Sequence, residues 1–279
     1  MDASLKTHTL IPAPYGDRSV FFAAPDGATA LVVFVHGFKG NATKTWGRFA
    51  EELQDRPWWS HSDMLFFGYD SVRRAVPGVA QELRAAIEAE YPSSTLLGQY
   101  AGELHSPPPD EYSELVLVGH SLGGVVLRRM LVDVAENLAR ERSRGREPEA
   151  PAILSSRLRL FAPANAGFSP SGILGVLHGL SPWTMVEAIL RGSPAYNDLR
   201  LATTALTTLR QRTEEFAGIS GNESLRADIL WPDPDDVVST ERYLTDEREY
   251  FVRAQTHQSI CKPTASFARP WRFVEGEED

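Results

Sequence analysis

The chain has 279 residues, and its 28 Lys and Arg against 37 Asp and Glu give a formal net charge of −9 at pH 7. This acidic balance excludes a general nucleic-acid-binding protein, because such binding needs a basic face that displaces counterions from the phosphates. The one cysteine, Cys261, excludes a secreted protein built on disulfides.

In chain order, the N-terminal segment MDASLKTHTL has a lysine but no apolar stretch after it, so it does not read as a signal peptide. No apolar run of the sequence approaches the roughly 18 residues of a membrane span. We therefore expect a cytoplasmic protein without an integral membrane segment. Because the sequence contains neither a long linker nor an internal repeat, it predicts a single domain over residues 1–279.

Short apolar runs then alternate with amphipathic segments, which is typical of strands that are buried on both faces and covered by helices. The predicted strands are 19–24, 30–35, 64–67, 115–118, 158–162, 216–219 and 249–253. Apolar residues recur at every fourth position from Val79 to Tyr91 and from Leu122 to Leu138, which predicts two helices that face the sheet. The alternation as a whole predicts an α/β fold.

Two stretches are predicted loops, the proline-rich one from Tyr100 to Glu111 and the charged one from Ser143 to Pro151. Residues 164–196 differ from both, because short apolar segments there are interrupted by glycine and proline. This pattern after a strand predicts a small helical cap over a pocket. An extra layer of packed helices without substrate contact has the same pattern and stays open as an alternative.

The strongest functional motif is Gly119-His120-Ser121-Leu122-Gly123, which lies between a predicted strand and a predicted helix. That context is typical of a turn that projects a serine hydroxyl above the edge of a sheet, with glycines where side chains would collide. Backbone N–H groups at the start of the helix stabilise negative charge that develops on a substrate oxygen. We therefore predict that Ser121 is a nucleophile.

A serine nucleophile needs a base that accepts its proton and an acid that orients the base. In this architecture the acid and then the histidine follow the serine along the chain. His257 lies in a polar turn after the last predicted strand and is the predicted base, whereas His178 lies within the predicted cap.

Several aspartates precede His257 and compete for the role of the acid. The predicted acid is Asp235. It lies in a turn that prolines make rigid, and a single residue separates it from the apolar pair Val237-Val238, which can anchor it. Asp236 and Asp233 stay open as alternatives. Asp228, like Asp233, is more simply explained as a solvated turn residue.

A second oxyanion donor is expected in the loop His36-Gly37-Phe38-Lys39-Gly40, which follows an early predicted strand. The backbone N–H of Phe38 would join that of Leu122, while Gly37 allows the chain to come close. His36 could support this loop by hydrogen bonding or be a buried histidine without a part in the reaction. The residues predicted to bind substrate are Gly37, His120, Ile173, Leu177 and Trp183.

Four motifs together resemble the α/β-hydrolase superfamily, and within it the lipase-like serine esterases that are grouped with GPI-inositol deacylases. They are His36 to Gly40 with Thr45-Trp46, Phe67-Gly68-Tyr69-Asp70-Ser71, Gly119 to Gly124, and His257 followed by Ile260-Cys261-Lys262-Pro263. The resemblance implies the α/β-hydrolase fold with a mostly parallel eight-stranded sheet, a triad of Ser121, Asp235 and His257, and hydrolysis of carboxylic, often lipid-like, esters. The segment from Phe161 to Gly167 departs from the family, in which many members have a Thr-Pro-His-like sequence.

These observations predict a serine hydrolase that cleaves carboxylic esters of a small-molecule or lipid-like substrate through an acyl-enzyme. No group of residues has zinc-ligand spacing and no nucleotide-binding glycine motif is present, so neither a metal nor a cofactor is expected. The apolar composition of the cap favours an acyl-chain or aromatic ester. An amidase, acyltransferase or thioesterase on the same fold, and a non-catalytic binding or signalling module, are the alternatives.

Overall fold

The structure is a computed structural model, and it describes residues 7–50, 56–167, 193–194 and 204–277. Of the predicted cap over 164–196, only residues 164–167 and 193–194 are among them, so the cap prediction otherwise lies outside the described residues. The organisation of residues 1–279 as a single domain likewise stays a prediction.

The strands of the described residues build one sheet. They are β1 (Thr9–Pro12), β2 (Val20–Ala23), β3 (Ala30–Val35), β4 (Ser62–Phe67), β5 (Glu114–His120), β6 (Arg157–Phe161), β7 (Ala227–Asp233) and β8 (Arg248–Arg253). This eight-stranded sheet has the order β1-β2-β4-β3-β5-β6-β7-β8. β2 pairs antiparallel with β1 and β4, whereas every pair from β4 through to β8 is parallel. The predicted mostly parallel eight-stranded sheet is therefore confirmed.

The α-helices of the described residues flank this sheet. They are α1 (Pro57–Ser60), α2 (Val76–Glu90), α3 (Thr95–Gln99), α4 (Leu122–Ser143), α5 (Thr204–Ala217) and α6 (Arg269–Glu275). Short 3-10 helices lie at Lys44–Trp46, Ala152–Ser155 and Glu223–Leu225. α4 packs against β5 and lies between α2 and α5. Within the described part of the chain, no helix is both long and apolar enough to cross a membrane.

The core lies on the central strands. Every residue of β3 is buried, as is every residue of β5 after its first, which explains their continuous apolar sequences. Phe34 of β3 stacks on Phe66 of β4 at 4.4 Å and meets Trp46 edge-on at 5.0 Å between ring centroids. Because parallel strands end at one edge of the sheet, the loops after β3, β5, β7 and β8 come together there.

One predicted strand is wrong and two strands are additional. Residues 216–219 do not form a strand, because Phe216 and Ala217 belong to the last turn of α5. The buried residues of this helix follow helical spacing: Leu206, Leu209, Thr213 and Ala217. The strand in this region is β7, which the sequence pattern did not predict, and neither did it predict β1.

The interpretation of Asp228 as a solvated turn residue is also wrong. It lies within β7, is only 3% exposed, and accepts a hydrogen bond from Arg159 of β6. Arg248 of β8 donates a second one over 2.9 Å. A carboxylate is stable inside a sheet when it is paired in this way, since the two guanidinium groups replace its hydration.

A second buried carboxylate, that of Asp63, makes the stability of the protein depend on pH. Asp63 of β4 accepts hydrogen bonds from the backbone N–H of Ala24 and from the hydroxyl of Tyr112, each over 2.6 Å. Burial raises its pKa from 3.8 to about 6 although both hydrogen bonds oppose the rise. The unfolded chain therefore releases this proton at a lower pH than the folded chain does.

We expect the free energy of unfolding to fall as the pH rises through this interval, by about 3 kcal/mol from Asp63 alone. The contribution is fully present below about pH 4 and is lost above about pH 6. Urea unfolding of the wild type and of Asp63→Asn at both ends of the interval measures it. The variant should lack this part of the pH dependence, and equal pH dependences in the two proteins would contradict the assignment.

Candidate active site

Ser121 lies on a strained turn between β5 and α4. Its backbone has φ 54° and ψ −119°, a conformation that residues with a side chain rarely adopt. The turn is fixed from the neighbouring strand, because the N–H of Ser121 donates to the carbonyl of Phe161 over 3.0 Å and its carbonyl accepts from the N–H of Ala164 over 3.2 Å. The predicted motif therefore has the local geometry of a nucleophile elbow.

Two glycines allow the backbones around Ser121 to approach closely. A Cβ atom on Gly123 would lie 1.9 Å from the carbonyl oxygen of Val35, so α4 begins directly against the end of β3. A Cβ atom on Gly37 would lie 2.8 Å from the Cβ of Ser121. The loop that begins at Gly37 thus runs beside the serine, with Phe38 following Gly37 and Leu122 following Ser121 in the chain.

His257 and Asp235 are brought together from the loops after β8 and β7. The Nδ1 atom of His257 lies 2.9 Å from an Oδ2 oxygen of Asp235, and the side chains are 5% and 0% exposed. The other carboxylate oxygen of Asp235 accepts the backbone N–H groups of Val237 over 2.8 Å and of Val238 over 3.1 Å. A carboxylate bound on both oxygens holds the imidazole in one orientation.

Among the aspartates weighed for this role, Asp235 is the one that meets the histidine. Asp236 is exposed, and Asp233 is half-exposed and lies 3.8 Å from the guanidinium of Arg253. Burial opposes the ionisation of Asp235, but its hydrogen bond with His257, the charge of His257 and the two backbone N–H groups together lower its pKa below the usual value. Asp235 is accordingly ionised at neutral pH.

The loop beside Ser121 is supported by a histidine and a tyrosine. The ring of His36 donates through Nδ1 to the carbonyl of Gly37 over 2.8 Å and stacks on the ring of Tyr69 at 4.4 Å. The hydroxyl of Tyr69 donates to the carbonyl of His36 over 2.7 Å. Burial lowers the pKa of His36, which favours its neutral form. His36 is thus buried and hydrogen-bonded within this loop, and its part in the reaction stays open.

Tyr69 and Ser71 both hydrogen-bond the loop beside Ser121, a role that their sequence motif does not indicate. Ser71 accepts a hydrogen bond from the backbone N–H of Lys39 over 2.8 Å. Together with the hydrogen bond from Tyr69 to His36, it attaches the segment after β4 to the loop after β3 at two points. The signal for this contact is weak in the sequence, because Gly68 to Ser71 also reads as an ordinary turn after a strand. Only the parallel pairing of β3 with β4 places the two loops side by side.

The chain between Asp235 and β8 is attached to α4 by a buried ion pair. Arg128 of α4 donates to both carboxylate oxygens of Asp246, over 2.7 and 2.9 Å, and both side chains are fully buried. Asn165 accepts from Arg128 over 3.2 Å and donates to the carbonyl of Glu241 over 2.9 Å. Asn165 lies in the segment that departs from the resembled family, and its contacts here are those of an anchor for this loop.

Of the five residues predicted to bind substrate, the structure describes two, Gly37 and His120. Gly37 lies beside Ser121, whereas the side chain of His120 is 7% exposed and its Nε2 atom lies 2.8 Å from the carbonyl oxygen of His257. The other three, Ile173, Leu177 and Trp183, lie outside the described residues, and so does His178 of the predicted cap.

The thiol of Cys261 is a further reactive group, four residues after His257 in the chain. It is fully buried, its Sγ lies 3.4 Å from the carbonyl oxygen of Thr45, and burial raises its pKa to about 12. A thiol with such a pKa does not supply the thiolate that nucleophilic attack requires. In the described ranges, no group of three or more His, Cys, Asp or Glu side chains is arranged to hold a metal ion.

Comparison with known proteins supports the fold. No protein-family model matches the sequence, and no curated protein sequence matches it either. Among solved structures, the mature lipase BlEst2 of Bacillus licheniformis has a TM-score of 0.51 and 16% identity over 89% of this chain and 92% of its own. The propeptide form of that lipase has a TM-score of 0.55 and 17% identity over 95% of this chain, which spans about half, 52%, of the longer protein.

A third similar structure comes from a sediment metagenome of the Mar Chica lagoon in Morocco. This protein, MGS-MChE2, is described as an α/β hydrolase enzyme, and it has a TM-score of 0.51 and 14% identity over 96% of both chains. At these identities the likeness concerns the fold and not the substrate. Together with the strand order, the elbow and the loops that meet above it, it shows that this chain has the α/β-hydrolase fold.

Proposed function

We propose that the protein is a serine hydrolase that cleaves carboxylic esters, with Ser121 as nucleophile, His257 as base and Asp235 as the acid that orients it. The observation that carries the proposal is the contact between His257 and Asp235 over 2.9 Å. The ring of His257 lies 4.9 Å from that of His120, the residue that precedes Ser121 on its strained turn with φ 54°. The similar structures described as a lipase and as an α/β hydrolase support the same reaction class.

The hydrogen bond between His257 and Asp235 defines the state of the base. Because an ionised carboxylate only accepts hydrogen bonds, the proton of neutral His257 lies on Nδ1, and Nε2 keeps the lone pair that accepts a proton. His257 removes the proton of Ser121 as the hydroxyl oxygen attacks the acyl carbonyl carbon. The imidazolium that forms is stabilised by the carboxylate of Asp235.

The negative charge then lies on the former carbonyl oxygen of the substrate. The backbone N–H groups of Phe38 and Leu122 are the proposed donors to it, at about 3 kcal/mol per donor. Collapse of the tetrahedral intermediate breaks the ester C–O bond, and His257 gives its proton to the leaving alcohol. Water, deprotonated by His257, attacks the acyl-enzyme in the second half and releases the acid and free Ser121.

For the substrate, we propose an acyl-chain or aromatic ester rather than a small polar ester. The proposal rests on the apolar sequence of residues 164–196, in which Ile173, Leu177 and Trp183 would contact the acyl part. The motifs around His36, Tyr69, Ser121 and His257 support a place among the lipase-like esterases grouped with GPI-inositol deacylases.

A fluorophosphonate probe tests the proposed function, because it reacts with an activated serine and not with an ordinary hydroxyl. We expect the native protein to be labelled, the heat-unfolded protein not to be labelled, and the adduct to be found on the peptide that contains Ser121. A native protein that remains unlabelled, and that hydrolyses no member of a panel of p-nitrophenyl esters from acetyl to medium chain, would refute the proposed function.

A further inference from the structure

The side chain of His120 contacts the backbone of His257. Its Nε2 atom is 2.8 Å from the backbone carbonyl oxygen of His257, although 137 positions separate the two residues in the chain. The two imidazole rings lie 4.9 Å apart with an angle of 50° between their planes, and Trp46 meets the ring of His120 edge-on at 6.4 Å between centroids. His120 therefore connects the end of β5 to the loop that carries the proposed base.

The hydrogen bond to His257 determines the tautomer of His120. A carbonyl oxygen only accepts, so the proton of His120 lies on Nε2 and the Nδ1 atom carries a lone pair. That Nδ1 atom is buried, has no hydrogen-bond partner among the residues that the structure describes, and would lie 3.2 Å from a Cβ atom on Gly37. The ring thus fills the space between the loop of Gly37 and the loop of His257.

The surroundings of His120 keep it uncharged. Burial first, and then the charge of His257, lower its pKa to about 3. The hydrogen bond to the backbone of His257 and the charge of Asp235 oppose this lowering, and the charge of Lys262 adds to it. A neutral neighbour matters for the proposed reaction, because His257 becomes an imidazolium in each half of it. A second imidazolium behind it would raise the energy of that state.

We propose that His120 is a positioning residue for the proposed base: its Nε2–H holds the backbone carbonyl of His257, and its neutral ring supports the imidazole. The inference rests on the proposed function. It replaces the substrate contact predicted for this residue, because the one N–H donor of the ring is used by His257 and the side chain is almost fully buried. His257 is then fixed at two points, its ring by Asp235 and its backbone by His120.

Two substitutions separate the hydrogen bond from the volume of the ring. His120→Gln keeps an N–H donor near the position of Nε2, whereas His120→Phe keeps a ring of similar size without a donor. For a p-nitrophenyl ester we expect His120→Phe to lower kcat about 10- to 100-fold with KM changed by less than about 3-fold, as small misplacements of reacting groups do. His120→Gln should recover most of the loss.

Equal losses in both variants, or a loss confined to KM, would overturn the proposal, since the first indicates a packing role and the second a substrate contact. A proton NMR signal of the His257 Nδ1–H gives a readout that does not depend on turnover. We expect its exchange with water to be about 10-fold faster or more in His120→Phe and unchanged in His120→Gln. If the wild type hydrolyses no ester, the proposed function fails, while unchanged exchange in His120→Phe refutes the positioning role itself.

Discussion

Replacing Ser121 by alanine is expected to lower kcat for a p-nitrophenyl ester by about 10⁴- to 10⁶-fold, because the attacking oxygen is removed while the remaining groups still bind the substrate. KM should change little, since the hydroxyl acts mainly in the transition state. Initial rates over a range of ester concentrations, measured with enough protein to detect the residual rate, separate the two parameters.

Ser113 offers a matched control at the opposite end of β5. It precedes β5 at the edge opposite to Ser121, is exposed, and donates from its hydroxyl to the carbonyl of Thr29 over 3.0 Å. We expect Ser113→Ala to keep the wild-type kcat, so a loss specific to Ser121→Ala reflects the reaction and not the removal of any serine. If Ser121→Ala retained more than about a tenth of the wild-type kcat, Ser121 would not be the nucleophile.

Local sequence patterns are sufficient to predict the central strands of the sheet and the turn at Ser121. The sequence predicts β3 and β5 because each is a short, continuous apolar run. Such short runs are typical of strands that are buried on both faces. The elbow at Ser121 was predictable for a similar reason, since the strand, the glycines and the helix are adjacent in the chain. Each of these features depends on neighbours within a few residues.

β7 was missed because its stabilising partners are distant in the chain. The sequence from Ala227 to Asp233 contains two aspartates and a proline, which locally favour a turn. Asp228 is tolerated inside the sheet only because Arg159 and Arg248, on the two neighbouring strands, both donate to it. β1, whose single fully buried residue is Ile11, has too little apolar pattern to be recognised before its pairing with β2 is known.

The candidate site was predictable in its residue types but not in all of its contacts. Sequence order limited the base to one polar turn and the acid to a few neighbouring aspartates. The choice among these aspartates depends on which side chain the turn directs inward, and successive residues differ completely in that respect. The contacts of His257 with His120, and of His36 with Tyr69, join segments that meet only at the carboxyl edge of the sheet.

Replacing Asp235 by asparagine is expected to lower kcat by about 10⁴-fold, although the side chain keeps its shape. The retained oxygen still accepts the N–H groups of Val237 and Val238, so the amide nitrogen faces His257. Because that nitrogen donates, the Nδ1 atom of His257 must accept, and the proton of the imidazole moves to Nε2. His257 in that tautomer cannot remove the proton of Ser121.

Asp236→Asn and Asp233→Asn are matched controls, because they make the same chemical change within two residues of Asp235, at an exposed position and at the half-exposed end of β7. Both should keep kcat within about 3-fold of the wild type, since neither carboxylate contacts the imidazole in the described structure. Steady-state kinetics of the three variants at one pH near neutrality provides the ranking. A larger loss in Asp236→Asn than in Asp235→Asn would mean that the acid is the neighbouring residue, and equal losses in all three variants would mean that the turn acts through its net charge and not through one oriented carboxylate.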